Sequence, residues 1–167
     1  MPLSASTNLP ASVQRITEVF TDEAFIRHIS ESVGGTLESF ERTGELDAAF
    51  STKAIRALPT DRLPDFAKSF VGASLSVTQL ENWAAPAADG SREVQVTLTV
   101  AGAPLEVTAV QRLSANGDGS LVELEGNVSS SMPFLGPKIA EAAEPIIGQA
   151  LNMQASEARS WLASHPS

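Results

Sequence analysis

The sequence predicts an α+β fold: an antiparallel sheet of about six to seven strands laid against one long C-terminal helix. Three observations predict it. Apolar and polar residues alternate in segments separated by short turn signals, as in hairpin-connected strands. Residues 134–162 carry an apolar stripe at helical spacing. Two short helical stretches stand directly after the first strand-like segment. Hairpin connections make the sheet antiparallel, and a sheet with one apolar face needs a helical layer to bury it.

The elements follow in order. Leu3, Ala5, Thr7 and Leu9 alternate with polar residues and suit a first strand. Pro10 opens a helical stretch with Val13, Ile16 and Phe20 on one face. A second begins where Thr21 or Asp22 can cap, carries Phe25, Ile26, Ile29 and Val33, and ends at Gly34–Gly35. Thr36–Thr43 and Leu46–Leu58 read as strands, the latter with Leu46, Ala48, Phe50, Thr52 and Ala54 on one face. Leu58–Gly72 is broken by Pro59 and Pro64. There Phe66 and Phe70, four apart, share a face of a short helix, either as core or as a flap over a cavity mouth. Leu75, Val77, Gln79, Glu81 and Trp83 share one strand face. Asp89–Gly90 and Asn116–Gly119 are hairpin signals. Between them lie two strands, one carrying Val94, Val96, Leu98 and Val100, the other Leu105, Val107, Ala109, Gln111 and Leu113. Val122, Leu124, Gly126 and Val128 close the sheet, with Gly126 marking a bulge or bend. Pro137 suits the first turn of the long helix, whose stripe includes Ile139, Ala143, Ile146, Ile147, Ala158 and Trp161. Pro145, inside it, removes a backbone bond and bends the axis. No domain boundary is visible, so residues 1–167 are expected to form one domain, with 163–167 a tail.

Composition narrows the function. Eleven basic against twenty acidic residues give a net charge of −9, which argues against a nucleic-acid groove and against docking on anionic membrane. The absence of cysteine removes disulfides, thiolate metal sites and cysteine nucleophiles. The opening MPLSASTNLPAS has neither the basic nor the apolar region of a signal peptide, and no stretch is apolar enough to span a membrane, so the cytoplasm is expected. There is no Gly-rich phosphate loop, no GxSxG elbow and no His/carboxylate metal spacing. No cofactor and no metal is expected.

The phrase LPASVQRITEVFTDEAF resembles the opening of the START-like, helix-grip superfamily, which includes plant pathogenesis-related allergens, lipid-transfer START domains and polyketide cyclases. LPDFAKSFVG, VTQLENW, AGAPLEVTAVQRL and PFLGPKIAEAAEPII are similar to an actinobacterial family within it that has no assigned reaction. The resemblance runs from about Leu3 to Trp161. It implies a curved sheet wrapped on the C-terminal helix with a cavity between them. Lining candidates for that cavity are Phe50, Arg56, Phe66, Phe70, Gln79, Glu81, Trp83, Leu98, Gln111, Ile139, Ala143 and Ile147.

Among polar candidates, Gln79, Glu81 and Gln111 share faces with apolar residues. Such groups either sit at a wet rim or orient a ligand inside a cavity. Arg56 is suited to an ion pair, at the surface, with Glu81 or with a ligand carboxylate. His28 reads as a surface residue and His165 as frayed tail. Glu123 and Glu125 alternate with inward apolar residues and so face solvent. Three functions stay open: a non-enzymatic binder of a small apolar molecule (lipid, polyketide-like or isoprenoid), a cyclase or aromatase using Glu81, and a protein-interaction module with a filled core.

Overall fold

Alternation and turns assemble as the residue pattern requires. A computed structural model describes residues 2–60, 74–101, 105–130 and 136–165, without the side chains at 2, 3, 74, 139, 142, 143, 146, 147, 150 and 151. Phe66, Phe70 and the side chains of Ile139, Ala143 and Ile147 lie outside the described residues. The element order is β1 (Pro2–Leu9), α1 (Val13–Phe20), α2 (Glu23–Ser32), β2 (Thr36–Thr43), β3 (Phe50–Pro59), β4 (Ser74–Trp83), β5 (Arg92–Val100), β6 (Leu105–Asn116), β7 (Gly119–Ser130) and α3 (Gly136–Ser164).

The strands form one seven-stranded sheet in the order β1-β7-β6-β5-β4-β3-β2. Every neighbouring pair is antiparallel. Alternation decides which face is dry. Val94 and Val96 on β5, Val107, Ala109 and Leu113 on β6, and Val122, Leu124 and Val128 on β7 are buried, while Glu93, Gln95, Glu123 and Glu125 are exposed.

The helices cover that dry face. Ser12 caps α1 by accepting from the Arg15 N–H at 3.1 Å, and Asp22 caps α2 by accepting from the Ala24 N–H at 2.9 Å. α1 therefore starts three residues after Pro10. Ile16, Val19 and Phe20 on α1 and Phe25 on α2 join the strand residues in the main core, closed by Ala158 of α3. A smaller cluster, Val107, Val128 and Ala140 with Leu98 and Leu105, lies under the first turns of α3. α3 lies over β7 and β1 and touches α2. It runs as one helix through Pro145, which is exposed.

Three expectations need correction. Leu46 and Ala48 are not on β3, which begins at Phe50. They belong to the β2–β3 turn, where the carbonyl oxygens of both accept from the Arg92 guanidinium. Gly126 is not a bulge: β7 keeps unbroken register there with Leu3 on one side and Ala109 on the other. A Cβ at that position would meet the Thr108 carbonyl oxygen at 2.5 Å and the Ala109 Cβ at 2.7 Å, so the glycine permits close backbone approach. The register shift among these strands is instead between Leu37 and Ser39 of β2. We expect Gly126→Ala to cost about 1–3 kcal/mol, as overpacking does, measured as a lowered urea midpoint with an unchanged slope. Finally, His165 is no frayed tail. Its N–H donates to the Trp161 carbonyl at 2.8 Å, its ring stacks on Trp161 at 4.0 Å, and its carbonyl accepts from Arg15.

Candidate functional site

Polar side chains on the inner face gather into one chain of hydrogen bonds. Gln79, Glu81 and Trp83 are alternate residues of β4 and so project side by side. Thr52 on β3 is directly opposite Glu81, and Arg56 lies diagonally across from Gln79. Arg56 Nε donates to Ser30 Oγ at 2.9 Å, and that hydroxyl donates to the Ile26 carbonyl at 2.7 Å. Arg56 Nη1 donates to Gln79 Oε1 at 2.8 Å. Gln79 Nε2 donates to Glu81 Oε2 at 2.6 Å, while Trp83 Nε1 and Thr52 Oγ1 donate to Glu81 Oε1 at 3.1 Å and 3.3 Å.

The guanidinium can only donate, which fixes the Gln79 amide with its oxygen toward Arg56 and its nitrogen toward Glu81. The Nη1 branch from Arg56 therefore ends on the Glu81 carboxylate, and the Nε branch ends on the Ile26 carbonyl. Glu81 is 9% exposed. Burial pushes the Glu81 carboxyl above its ordinary value, against the opposing effects of Trp83, Gln79, Thr52 and the Arg56 charge. Burial likewise lowers Arg56, although the Glu81 charge opposes this; an arginine remains charged nonetheless. If Glu81 takes up a proton, Thr52 is the one partner of the three that can reverse and accept it, because the indole and the amide nitrogen only donate.

Beside this network lies a cavity of about 100 Å³, where the sheet and α3 part between the two apolar clusters. Val96, Leu98, Val107, Ala109, Val122 and Leu124 form its floor, with Phe20 and Ala155 from the helices. Gln79, Glu81 and Gln111 are the sheet's inner-face polar points in that lining, to which β1 adds Ser6 and Thr7 and α3 adds Asn152 and Gln154. Gln111 is 7% exposed, and among the described residues its amide has no hydrogen-bond partner. A second void of about 20 Å³, room for one water, lies on the other side of the network among Phe25, Ile29, Phe40, Thr52 and Arg56. A larger groove of about 710 Å³ lies at the hairpin tips, rimmed by Glu45, Asp47, Asp89 and Asp118. Its buried arginine, Arg92, is bonded to backbone carbonyls.

The site candidates thus separate. Leu98, Gln79, Glu81 and Gln111 come together on the cavity. Arg56 makes no ion pair with Glu81; Gln79 stands between them, and Arg56 faces the smaller void. Phe50 and Trp83 do not line the cavity. Their rings stack at 5.2 Å and lie beneath the Arg92 guanidinium, at 5.1 Å and 5.5 Å from its carbon, so they are core; Trp83 meets the site only through its N–H. His28 is exposed and contacts Glu157 of α3 at 2.7 Å. Sequence reasoning passed over Ser30, Thr52 and Arg92. The parity of Thr52 with Phe50, and of Arg92 with Val94, was the available signal.

Seven antiparallel strands with two short helices after the first and a long C-terminal helix across the sheet define the helix-grip fold. Within that class, the chain belongs to the family described as protein of unknown function DUF2505, whose model matches residues 4–162. No curated protein matches it significantly. Solved structures with the same fold include a Thermus thermophilus protein, TM-score 0.63 and 11% identity over 100% of both chains. Another is the STAR-related lipid transfer protein of Xanthomonas axonopodis, TM-score 0.63 and 15% identity over 97% of this chain and 85% of that one. A third is norcoclaurine synthase of Thalictrum flavum in complex with dopamine and hydroxybenzaldehyde, TM-score 0.54 and 13% identity over 100% and 88%. At such identities the likeness is one of fold.

Proposed function

We propose that the protein binds a small apolar molecule in the cavity between its sheet and C-terminal helix. The observation that carries this reading is the cavity itself: an apolar floor with a few convergent polar groups, one of them the Gln111 amide, which has no partner among the described residues. The structural neighbours support it, one being titled a lipid transfer protein and another holding two small aromatic molecules. Size refines the class. A cavity of roughly 150 Å³ accepts benzene, so at about 100 Å³ this one takes a single ring only with a small outward give of α3. A lipid, isoprenoid or polyketide-like chain would require α3 to move further outward. Among the described residues no helix is long and apolar enough to cross a membrane, and a cytoplasmic location is part of this reading.

A second reading rests on Glu81. A carboxyl raised by burial beside a cavity is suited to general acid–base work, which would make the protein a cyclase- or aromatase-type enzyme. Binding is favoured because Glu81 already accepts three hydrogen bonds from its own chain.

Ala155→Leu tests the container. Ala155 lines the cavity from α3 and is half-buried, and leucine is a good helix former. Titrating ethylbenzene into the ¹⁵N-labelled protein should shift amides around Val96, Ala109 and Leu124, and the variant should lose at least tenfold in affinity while keeping its fold. Unchanged affinity in the variant would place the ligand elsewhere, and no binding by either would favour the filled-core interaction module.

A further inference from the structure

The polar groups of the cavity specify more than size. This inference rests on the container reading above. Each carboxylate oxygen accepts about two hydrogen bonds. Glu81 Oε1 already takes two, from Trp83 and Thr52, and Oε2 takes one, from Gln79. One acceptor position therefore remains, on Oε2. Gln111 offers a whole amide, both donor and acceptor, with no partner among the described residues. β5 separates the two: Glu81 pairs with Val96 and Gln111 with Val94. Their backbones are then about 12 Å apart, two strand spacings across the sheet and two residues along it. Both side chains line the cavity, and a hydrogen bond of about 2.8 Å at each end leaves room between them for roughly one ring's length.

Charge removes a further class. Among the described residues the lining of the main cavity holds no lysine, arginine or histidine, and Arg56 faces the smaller void. A carboxylate ligand would lie beside Glu81 with no cation to pair it. An ammonium group has three N–H donors to satisfy, and Glu81 can accept one of them. A hydroxyl has one.

We propose that the cavity selects a neutral hydroxyl-bearing molecule about one ring long, its O–H donating to Glu81 and an acceptor at its far end meeting Gln111, and that it rejects carboxylates. The test is calorimetric titration at pH 7 with 4-ethylphenol, 4-hydroxyacetophenone, ethylbenzene, 4-ethylbenzoate and 4-methylbenzylamine. 4-Ethylphenol should bind about threefold to tenfold tighter than ethylbenzene, as one net hydrogen bond provides. 4-Hydroxyacetophenone should bind tighter again, and the benzoate should not bind. Gln111→Leu, which removes a buried polar group and should fold, should erase the advantage of 4-hydroxyacetophenone over 4-ethylphenol. Glu81→Gln should reduce 4-ethylphenol to the level of ethylbenzene. Equal affinities for phenol and ethylbenzene, or tighter binding of the benzoate or the amine, would overturn this selection and leave the container intact. Binding of none of the five would overturn the container and the selection together.

Discussion

Replacing Arg92 with leucine is expected to lower the stability of the protein by about 3–5 kcal/mol, because three backbone carbonyls lose their donors at once. Arg92 is 5% exposed although it opens a strand next to the β4–β5 hairpin. Its guanidinium donates to the carbonyls of Ala84 at 3.0 Å, Leu46 at 2.5 Å and Ala48 at 2.9 Å, and covers the stacked rings of Phe50 and Trp83. A cation over two aromatic faces adds to those bonds. The side chain thus ties the β2–β3 turn to the β4–β5 hairpin, two segments with no ladder of their own between them. Arg92→Lys should recover little, since a point charge cannot reach three acceptors in fork geometry. For a chain of 167 residues the leucine variant should melt about 6–20 °C lower in calorimetry. A drop of under about 2 °C, less than 1 kcal/mol produces in a chain of this size, would show that the turn is held by other contacts.

The second large effect is a pH dependence that belongs to Glu81. Burial raises its folded-state pKa, so the folded chain holds that proton more tightly than the unfolded chain does. The sign follows from linkage: the folded state binds more protons, so the contribution of Glu81 to stability falls as pH rises. It is most favourable below the ordinary carboxylate range, declines from there through the folded pKa, and is level above it. Glu81→Gln cannot ionise. Its stability relative to the parent should therefore climb with pH across that window and then plateau, whatever constant offset the amide introduces through its mismatch with the Gln79 nitrogen. Urea titrations of both proteins at several pH values measure this directly. A difference that is flat, or that falls with pH, would mean that Trp83, Gln79, Thr52 and Arg56 outweigh burial and keep the carboxylate ionised.

Most of the fold was legible because it depends on local chemistry. Strand faces follow from alternation along β5, β6 and β7, and hairpins from Asp89–Gly90 and from Gly117, whose φ is 61°. The site was legible in half. That Glu81 and Gln111 share faces with valines and leucines was visible, and they do meet one cavity. Their partners were not, because partnership depends on cross-strand register. Thr52 faces Glu81 only because β3 and β4 pair Phe50 with Trp83. Arg56 looked like a counter-ion and is one residue removed from that role, since Gln79 stands between. Leu46 and Ala48 continued the alternation of β3 in sequence, yet Arg92 holds their carbonyls in a turn. His165 has little to mark it in sequence; only the proximity of Trp161 and Arg15 gives it a place.

The measurement that tests the central claim most directly is native mass spectrometry of the protein purified gently from its own host, followed by denaturing extraction of whatever leaves with unfolding. The container reading predicts a stoichiometric small molecule, neutral and about one ring in size, that is lost on denaturation and absent from the Ala155→Leu variant. A clean apo mass for the parent, with no thermal shift across alcohols, phenols and simple hydrocarbons, would contradict it and leave the buried network of Glu81 as an element of the fold alone.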